Sequence, residues 1–189
     1  GNVFNGILLS VGTTTPSSVQ NNTVRNISFQ SAVSAGDVFR GIGVTAGNVN
    51  IGDSTGNTIG SSAVSATTQT AASIVLLQSS SNGGIGYGIS NTGSGILNIS
   101  NNGIGGVFMA AAAGANTLGH SFYAIRSTSG TNSISSNTIG SATNSSNIYS
   151  EGSKDTTANP NTLVGINVSS STASTSITNN NIRNIIYSA

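Results

Sequence analysis

The sequence of 189 residues contains no cysteine and no tryptophan, and only nine of its residues are charged. The lack of cysteine excludes a disulfide framework, a thiolate metal site and a cysteine nucleophile. Charged residues make up 5% of the chain, against about 25% in a typical soluble domain. With a net charge of +1, the chain lacks the basic surface that attracts nucleic acids and anionic membranes, so we expect neither as a partner.

Long apolar runs are missing as well. No stretch approaches the roughly 18 consecutive apolar residues that a membrane-spanning helix needs, so the sequence predicts no membrane span. Short apolar runs with a period of two are present instead, bounded by Gly, Ser, Thr and Asn, which is typical of β-strands. Because hydrophobic residues still make up 35% of the chain and recur at fixed offsets, we expect an ordered core.

The chain repeats one short pattern five times. In its clearest copy, residues 134–140 (ISSNTIG), an aliphatic residue and two polar residues precede an asparagine, and Val or Ile follows two positions later. The copy around residue 57 keeps the second half but has Ser54 in the place of the first aliphatic residue. Successive asparagines of the pattern are 35, 45, 35 and 43 residues apart. They are Asn22, Asn57, Asn102, Asn137 and Asn180.

A second pattern accompanies the first: a small residue followed by Ile, with the Ile 12 to 15 residues before each of these asparagines. The distance from an asparagine to the next such Ile varies instead from 20 to 32 residues. One constant half and one variable half, at a period of this size, predict a solenoid whose variable halves are loops. The isoleucines are Ile7, Ile42, Ile89, Ile125 and Ile166.

These patterns predict an all-β fold, a right-handed parallel β-helix (β-solenoid) with about five coils and long variable loops on one side. Each copy contains three short apolar runs, so we expect three strands per coil, each parallel to its equivalent in the next coil. About ten smaller coils are the alternative. The pattern runs through residues 1–189, and we therefore expect a single solenoid segment that is a fragment of a longer repeat protein.

The variable halves are predicted at residues 28–38, 61–85, 108–121 and 141–162. Two of them contain apolar runs, at residues 74–77 and 108–113. Such runs could pack against the flank of the coil, add a strand to it, or contact another molecule.

The repeated asparagines and small residues have a structural interpretation. Asparagine tolerates left-handed backbone and bonds its own backbone, which suits a sharp turn between two strands. Stacked copies could also join their side-chain amides in a ladder from coil to coil; the alternative is that these asparagines lie in exposed turns. The small residue before each Ile predicts a close approach of stacked backbones.

The runs at 22–27 (NTVRNI), 57–61 (NTIGS) and 137–141 (NTIGS) each follow a small residue and Ile at a nearly constant step. They resemble right-handed parallel β-helix repeats in very long secreted proteins of Bacteroidota. The resemblance implies export, a location outside the cell or at the cell surface, and a structural or adhesive role. It names no ligand, because the same coil is found in polysaccharide lyases, phage tailspikes and adhesive fibres.

Candidate catalytic residues are few. The four acidic residues, Asp37, Asp53, Glu151 and Asp155, occupy different positions of the repeat. Glycoside hydrolysis needs two carboxylates facing one bond, about 5 to 9.5 Å apart. His120, the single histidine, has no evident partner, and we expect it at the surface or in an interface. The sequence therefore predicts no enzyme, no catalytic residue, no cofactor and no metal site.

The function that these observations favour is a structural segment of an extracellular fibre or surface adhesin, a rigid rod that associates with itself. Its partners would be copies of itself, end to end or laterally, or further repeats of the same chain, with surface glycans as a further possibility. The alternatives are a carbohydrate-binding or polysaccharide-degrading β-helix and an ice-binding solenoid. The triplets at residues 53–55 (DST) and 155–157 (DTT) resemble the short acidic-hydroxyl sequence at which Bacteroidota attach O-glycans, and this resemblance makes Ser54 and Thr156 candidates for O-glycosylation.

Overall fold

The computed structural model describes residues 3–32, 36–79, 83–112, 120–151, 162–170 and 174–188. These residues form twenty β-strands and contain no α-helix. The strands make four parallel five-stranded sheets, and every sheet takes one strand from each of five successive turns of the chain. The protein is therefore a parallel β-helix with five coils, as the repeat predicts.

The four sheets, A to D, follow one another around each coil. Sheet A comprises β1 (Phe4–Ser10), β5 (Asp37–Ala46), β9 (Ile85–Asn91), β13 (Ser121–Ser127) and β17 (Leu163–Val168). Sheet B comprises β2 (Ser17–Val19), β6 (Val49–Ile51), β10 (Ile96–Ser100), β14 (Thr131–Ser135) and β18 (Thr175–Thr178). Sheet C comprises β3 (Thr23–Val24), β7 (Thr58–Gly60), β11 (Gly103–Gly105), β15 (Thr138–Gly140) and β19 (Asn181–Arg183). Sheet D comprises β4 (Ile27–Ser31), β8 (Ile74–Gln78), β12 (Val107–Ala111), β16 (Ile148–Glu151) and β20 (Ile185–Ser188).

The prediction of three strands per coil was wrong, because each coil has a fourth strand, in sheet D. These strands lie mostly in the halves predicted to be loops. The turn from sheet C to sheet D has two residues in coil one and one residue in coils three and five, but it is replaced by loops 61–73 and 141–147 in coils two and four. Because the length of this connection differs between coils, the spacing of residues in the sequence does not reveal that sheet D has the same position in every coil.

The apolar runs at 74–77 and 108–113 fall in these added strands. Ile74, Leu76 and Met109 are fully buried inside the coil. Phe108, on the opposite face of its strand, is only 3% exposed, because Ala66 of loop 61–73 and Val75 pack against it. The lateral contact with another molecule that we considered for these side chains is therefore not available to them.

The core is built from columns of equivalent aliphatic residues. In sheet A the predicted isoleucines are in register from coil to coil. They face a second column in sheet C, of which Ile59 and Ile104 are at most 1% exposed. The small residues lie where these columns meet: a Cβ on Gly41 would come within 2.8 Å of Ile59 Cγ2 and within 2.6 Å of the Gly88 carbonyl oxygen. A larger side chain there would push the facing sheets and the stacked coils apart.

The repeated asparagines form a ladder along the turn between sheets B and C. The Oδ1 atom of Asn102 accepts hydrogen bonds from the backbone N and the Nδ2 of Asn57, both at 2.9 Å. The Nδ2 of Asn102 donates in turn to Asn137 Oδ1 at 3.0 Å. The same contacts join Asn22 to Asn57 and Asn137 to Asn180. The three middle amides are at most 1% exposed, so the ladder is buried.

One detail of the asparagine interpretation was wrong. In coils one, three, four and five the residue with left-handed backbone is not the ladder asparagine but the one before it, as at φ 56° for Asn21 and 61° for Asn101. The ladder asparagine itself makes the predicted bond to its own backbone, as from Asn102 Nδ2 to the Ser100 carbonyl at 2.9 Å. Two adjacent residues thus have different roles in the turn: the first adopts the left-handed backbone, and the second bonds the backbone carbonyl through its side-chain amide.

The irregular copy around residue 57 is explained by an insertion. Ile51, not Ser54, pairs with Val19 and Ile99 and fills the aliphatic column of sheet B. Five residues, 52–56, separate it from Asn57, where the other coils have two. The ladder and the column are therefore both complete, and only the turn between them is longer.

We expect a buried charge in the sheet C column to destabilise the fold strongly. Ile104→Asp places a carboxylate at a position that is 1% exposed, and it should lower the free energy of unfolding by on the order of 4 kcal/mol or more. Ile182→Asp is the matched control in coil five, because Ile182 holds the same column position but is 48% exposed. Urea denaturation followed by circular dichroism compares the two. Equal losses for both variants would contradict the burial of this column.

Candidate functional site

Three of the nine charged residues lie together on the outer face of sheet A. They are Asp37 and Arg40 of β5 and Arg126 of β13. Arg25 and Arg183 are exposed near the turn from sheet C to sheet D, Asp53 is exposed in the insertion at 52–56, and Glu151 ends β16. Asp155, a predicted catalytic candidate, lies outside the described residues. The outer face of sheet A is thus the one place where described charged residues gather.

The coil register assembles this group from distant parts of the chain. Arg40, Tyr87 and Tyr123 are cross-strand partners in coils two, three and four. Ser90 and Arg126 are partners in the next outward row. Because side chains alternate along a strand, Phe39 and Phe122, each next to one of these residues, point into the core and are fully buried.

A continuous polar network joins these side chains. The Arg40 guanidinium makes a salt bridge with Asp37 and donates to Asn5 Oδ1 at 3.1 Å. The Tyr87 hydroxyl donates to the other oxygen of Asp37 at 2.9 Å and accepts a hydrogen bond from Arg126 Nη1 at 2.9 Å. The Asp37 carboxylate is therefore already engaged on both of its oxygens.

Arg126 also lies over two aromatic rings. Its Cζ is 5.6 Å from the centroid of the Tyr87 ring and 5.1 Å from that of Tyr123, within the range of a cation–π contact. The two rings are stacked on each other, with centroids 5.9 Å apart. The guanidinium thus contacts both tyrosine rings, and its Nη1 is bonded to the Tyr87 hydroxyl.

The site keeps Tyr87 in its neutral form. Burial and, after it, the hydrogen bond to the Asp37 carboxylate and the charge of that carboxylate together raise the pKa of the Tyr87 hydroxyl to about 12, although the nearby Arg126 charge acts in the opposite direction. The hydroxyl is therefore a proton donor to Asp37 at neutral pH. Catalysis by a tyrosinate at this position is excluded near neutral pH.

A cavity of about 200 Å³ opens beside this network. The charged residues and Tyr87 line it together with the side chains of Ser90, Thr92 and Thr128. Sites for drug-sized ligands are larger, about 300–1,000 Å³. The cavity therefore suits a small ligand that interacts through charge and hydroxyl groups.

The sequence analysis missed this site. Its residues do have a fixed position relative to the repeat, since Arg40, Tyr87 and Tyr123 each lie two residues before the Ile of the small-Ile pattern. Arg126 directly follows that Ile in its own copy. An alignment of the copies on the small-Ile pattern would have placed Arg40, Tyr87 and Tyr123 at one position of adjacent coils, but strict alternation along a strand would have put Arg126 on the opposite face.

We expected His120 at the surface or in an interface, and this prediction was wrong. The residue is fully buried next to the start of β13. Its Nδ1 accepts a hydrogen bond from the Gly84 backbone N at 3.0 Å, which makes the neutral ring the form that fits. Burial lowers the pKa of this imidazole below its usual value of 6.5. The correction follows from stacking: the chain entering β13 lies over the chain entering β9, so the ring is enclosed.

The remaining predicted sites are structural or untested. Ser54 is exposed and its hydroxyl donates to Gln20 Oε1 at 2.8 Å, so O-glycosylation there stays a prediction. Thr156, the other candidate, lies outside the described residues. Within the described ranges, no three His, Cys, Asp or Glu side chains come together as a metal site would require. In the same part of the chain, no helix is long and apolar enough to span a membrane.

Comparison of the chain with protein-family models, with curated proteins and with solved structures finds no match. The functional argument therefore depends on the geometry of the chain itself.

We expect the stability of the protein to fall as the pH decreases from about 7.5 to 5. The pKa of His120 is lowered in the folded state, whereas in the unfolded chain it is about 6.5. The stabilisation is therefore complete above pH 6.5 and is lost as the pH falls toward the folded pKa, because the unfolded chain then binds the proton more readily.

Thermal melts at both pH values measure this effect, and His120→Gln is the control. Its side-chain oxygen can accept from Gly84 N but does not titrate, so the loss in Tm between pH 7.5 and 5 should be much smaller. An identical pH dependence in both proteins would show that His120 is not the group responsible.

Proposed function

We propose that this chain is a structural segment of an extracellular fibre or surface adhesin, a rigid rod extended by stacking further coils onto coils one and five. The observation that carries the proposal is the polarity of the asparagine ladder. Each of the first four ladder amides donates from its Nδ2 to the asparagine of the next coil. A stack with one direction can be continued at either face only by a coil in the same orientation.

The two outer amides are complementary to each other. No described residue donates to Oδ1 of Asn22, the acceptor atom that each later coil uses. At the other face, Nδ2 of Asn180 retains its bonds to the carbonyls of Ile134 and Thr178 but has no further asparagine to bond. A coil of the same repeat would supply both missing partners, whether it came from a longer chain or from a second copy.

The exposed ends of the apolar columns also fit a further coil of the same repeat. Ile177 and Ile182 of coil five are 49% and 48% exposed, while their equivalents in coil four, Ile134 and Ile139, are fully buried. A sixth coil would bury them as the fifth buries those of the fourth. Unpaired parallel strands at these faces add backbone donors and acceptors that a further coil would satisfy.

The outer wall suits a scaffold. It carries few charges, which leaves little electrostatic repulsion between neighbouring rods. The three acidic residues within the described ranges do not form a catalytic pair, since Asp37 is held by Arg40 and Tyr87, and Asp53 and Glu151 lie elsewhere. No specific observation favours ice binding or polysaccharide cleavage over the scaffold.

We expect the 189-residue chain to associate in a concentration-dependent manner, end to end. Ile182→Lys places a charge on the exposed face of coil five and should shift sedimentation-velocity profiles to the monomer. Ile96→Lys is the matched control, because Ile96 is 50% exposed but lies in a middle coil, where both stacking faces are already occupied.

Association that survives Ile96→Lys but not Ile182→Lys supports stacking through the ends. Loss of association in Ile96→Lys alone would indicate lateral contact instead. A monomer at all concentrations of the unmodified chain would overturn self-association as the way in which the rod is extended.

A further inference from the structure

Among the described residues, Arg126 is a guanidinium without a carboxylate partner. Its hydrogen-bond acceptor within those ranges is the neutral Tyr87 hydroxyl, and the one salt bridge of these residues joins Arg40 to Asp37. The Nε of Arg126 is buried and has no hydrogen-bond partner there. A partly enclosed charge with a buried, unsatisfied donor is costly unless a counter-ion completes it.

Asp37 cannot serve as that counter-ion. One of its oxygens is bonded to Arg40 and the other accepts from the Tyr87 hydroxyl. The three charged groups of the site, two guanidiniums and one carboxylate, therefore leave a net charge of +1 beside the cavity. A ligand with one negative charge would therefore neutralise the site.

The lining defines the rest of the ligand. Guanidinium groups bind carboxylates through two parallel hydrogen bonds from neighbouring nitrogens, and the Arg126 guanidinium lines the cavity. The side chains of Ser90, Thr92 and Thr128 provide hydroxyl groups around the same cavity. A volume of about 200 Å³ restricts the ligand to a molecule of about one sugar ring or smaller.

We propose that the outer face of sheet A binds a small hydroxylated carboxylate, with Arg126 as the residue that contacts the carboxylate. Tyr87 is a positioning residue: its hydroxyl accepts from Arg126 Nη1 and donates to Asp37, so it fixes the guanidinium relative to the cavity. The Tyr123 ring stacks on the Tyr87 ring and also contacts the Arg126 guanidinium, so it helps to hold both groups in place. The Asp37 carboxylate repels a ligand carboxylate from its own side of the cavity and so directs it toward Arg126.

Titration monitored by NMR of the arginine Nε–H signals tests the proposal on the full chain. The probes are glucuronate, an acidic sugar, lactate, a small hydroxy acid, and glucose, a neutral sugar of the same ring size. Glucuronate or lactate should shift the Arg126 Nε–H signal with saturation in the millimolar range, and glucose should not. Glucuronate binding tighter than lactate identifies an acidic sugar as the source of the carboxylate, and the reverse order identifies a free hydroxy acid.

Variants separate binding from folding. Arg126→Gln should weaken binding of the acid at least tenfold, whereas Arg183→Gln, which removes an equal charge from sheet C, should leave it unchanged. Arg126→Lys keeps the charge and the fold but loses the pair of neighbouring nitrogens, so it should give an intermediate affinity. Tyr87→Phe should weaken binding while leaving the Arg126 charge in place. Tyrosine fluorescence provides a second readout, since the chain has no tryptophan.

Saturation by glucose to the same extent as by the acids would overturn the proposal, as would unchanged affinity in Arg126→Gln. The result is independent of the proposed scaffold function. Ile182 lies at the exposed face of coil five and does not line the cavity on the outer face of sheet A, so Ile182→Lys should bind the acid as the unmodified chain does.

Discussion

The fold depends on one constraint: each coil must bring an asparagine amide directly over the amide of the coil before it. Asn102 shows what the position requires. Its Oδ1 accepts two hydrogen bonds from Asn57, and its Nδ2 donates to Asn137 and to the carbonyls of Ile51 and Ser100. No other side chain of this size offers an acceptor and two donors in one plane. Because the site is buried, each unmade bond would cost about 1–3 kcal/mol.

Coils of different length stack in the same register, because the ladder aligns them at the turn between sheets B and C. The five asparagines are separated by 35 to 45 residues, yet the register on both sides of them is unbroken. The differences are taken up by the insertion at 52–56 and by loops 61–73 and 141–147, all at corners between sheets. Loops 61–73 and 141–147 even bond each other, from Asn147 Nδ2 to the Ser61 carbonyl at 2.9 Å. Insertions at the corners can therefore vary while the columns of Ile and Val stay aligned.

The features that repeat at constant offsets could be predicted from the sequence, and those that follow loops of variable length or occur in single copies could not. The coil number, the ladder and the isoleucine columns follow from constant offsets, because each coil imposes the same steric demand. Sheet D was missed because loops precede it in alternate coils. Burial of His120 depends on which chain lies over it, and no local pattern records this. The network on sheet A takes Arg40, Tyr87 and Arg126 from three different coils, so it exists only once the register is known.

The central claim, that the buried amide ladder holds the coils in register, is tested most directly by the stability of Asn102→Asp. The substitution keeps the shape, but at pH 7 the carboxylate cannot donate to Asn137 Oδ1, Ile51 O or Ser100 O and sets a negative charge against all three. The free energy of unfolding, measured by urea denaturation, should fall by on the order of 3–5 kcal/mol. Asn98→Asp, on the outer wall of the same coil, should lose about 1 kcal/mol. Equal, small losses in both variants would contradict the account.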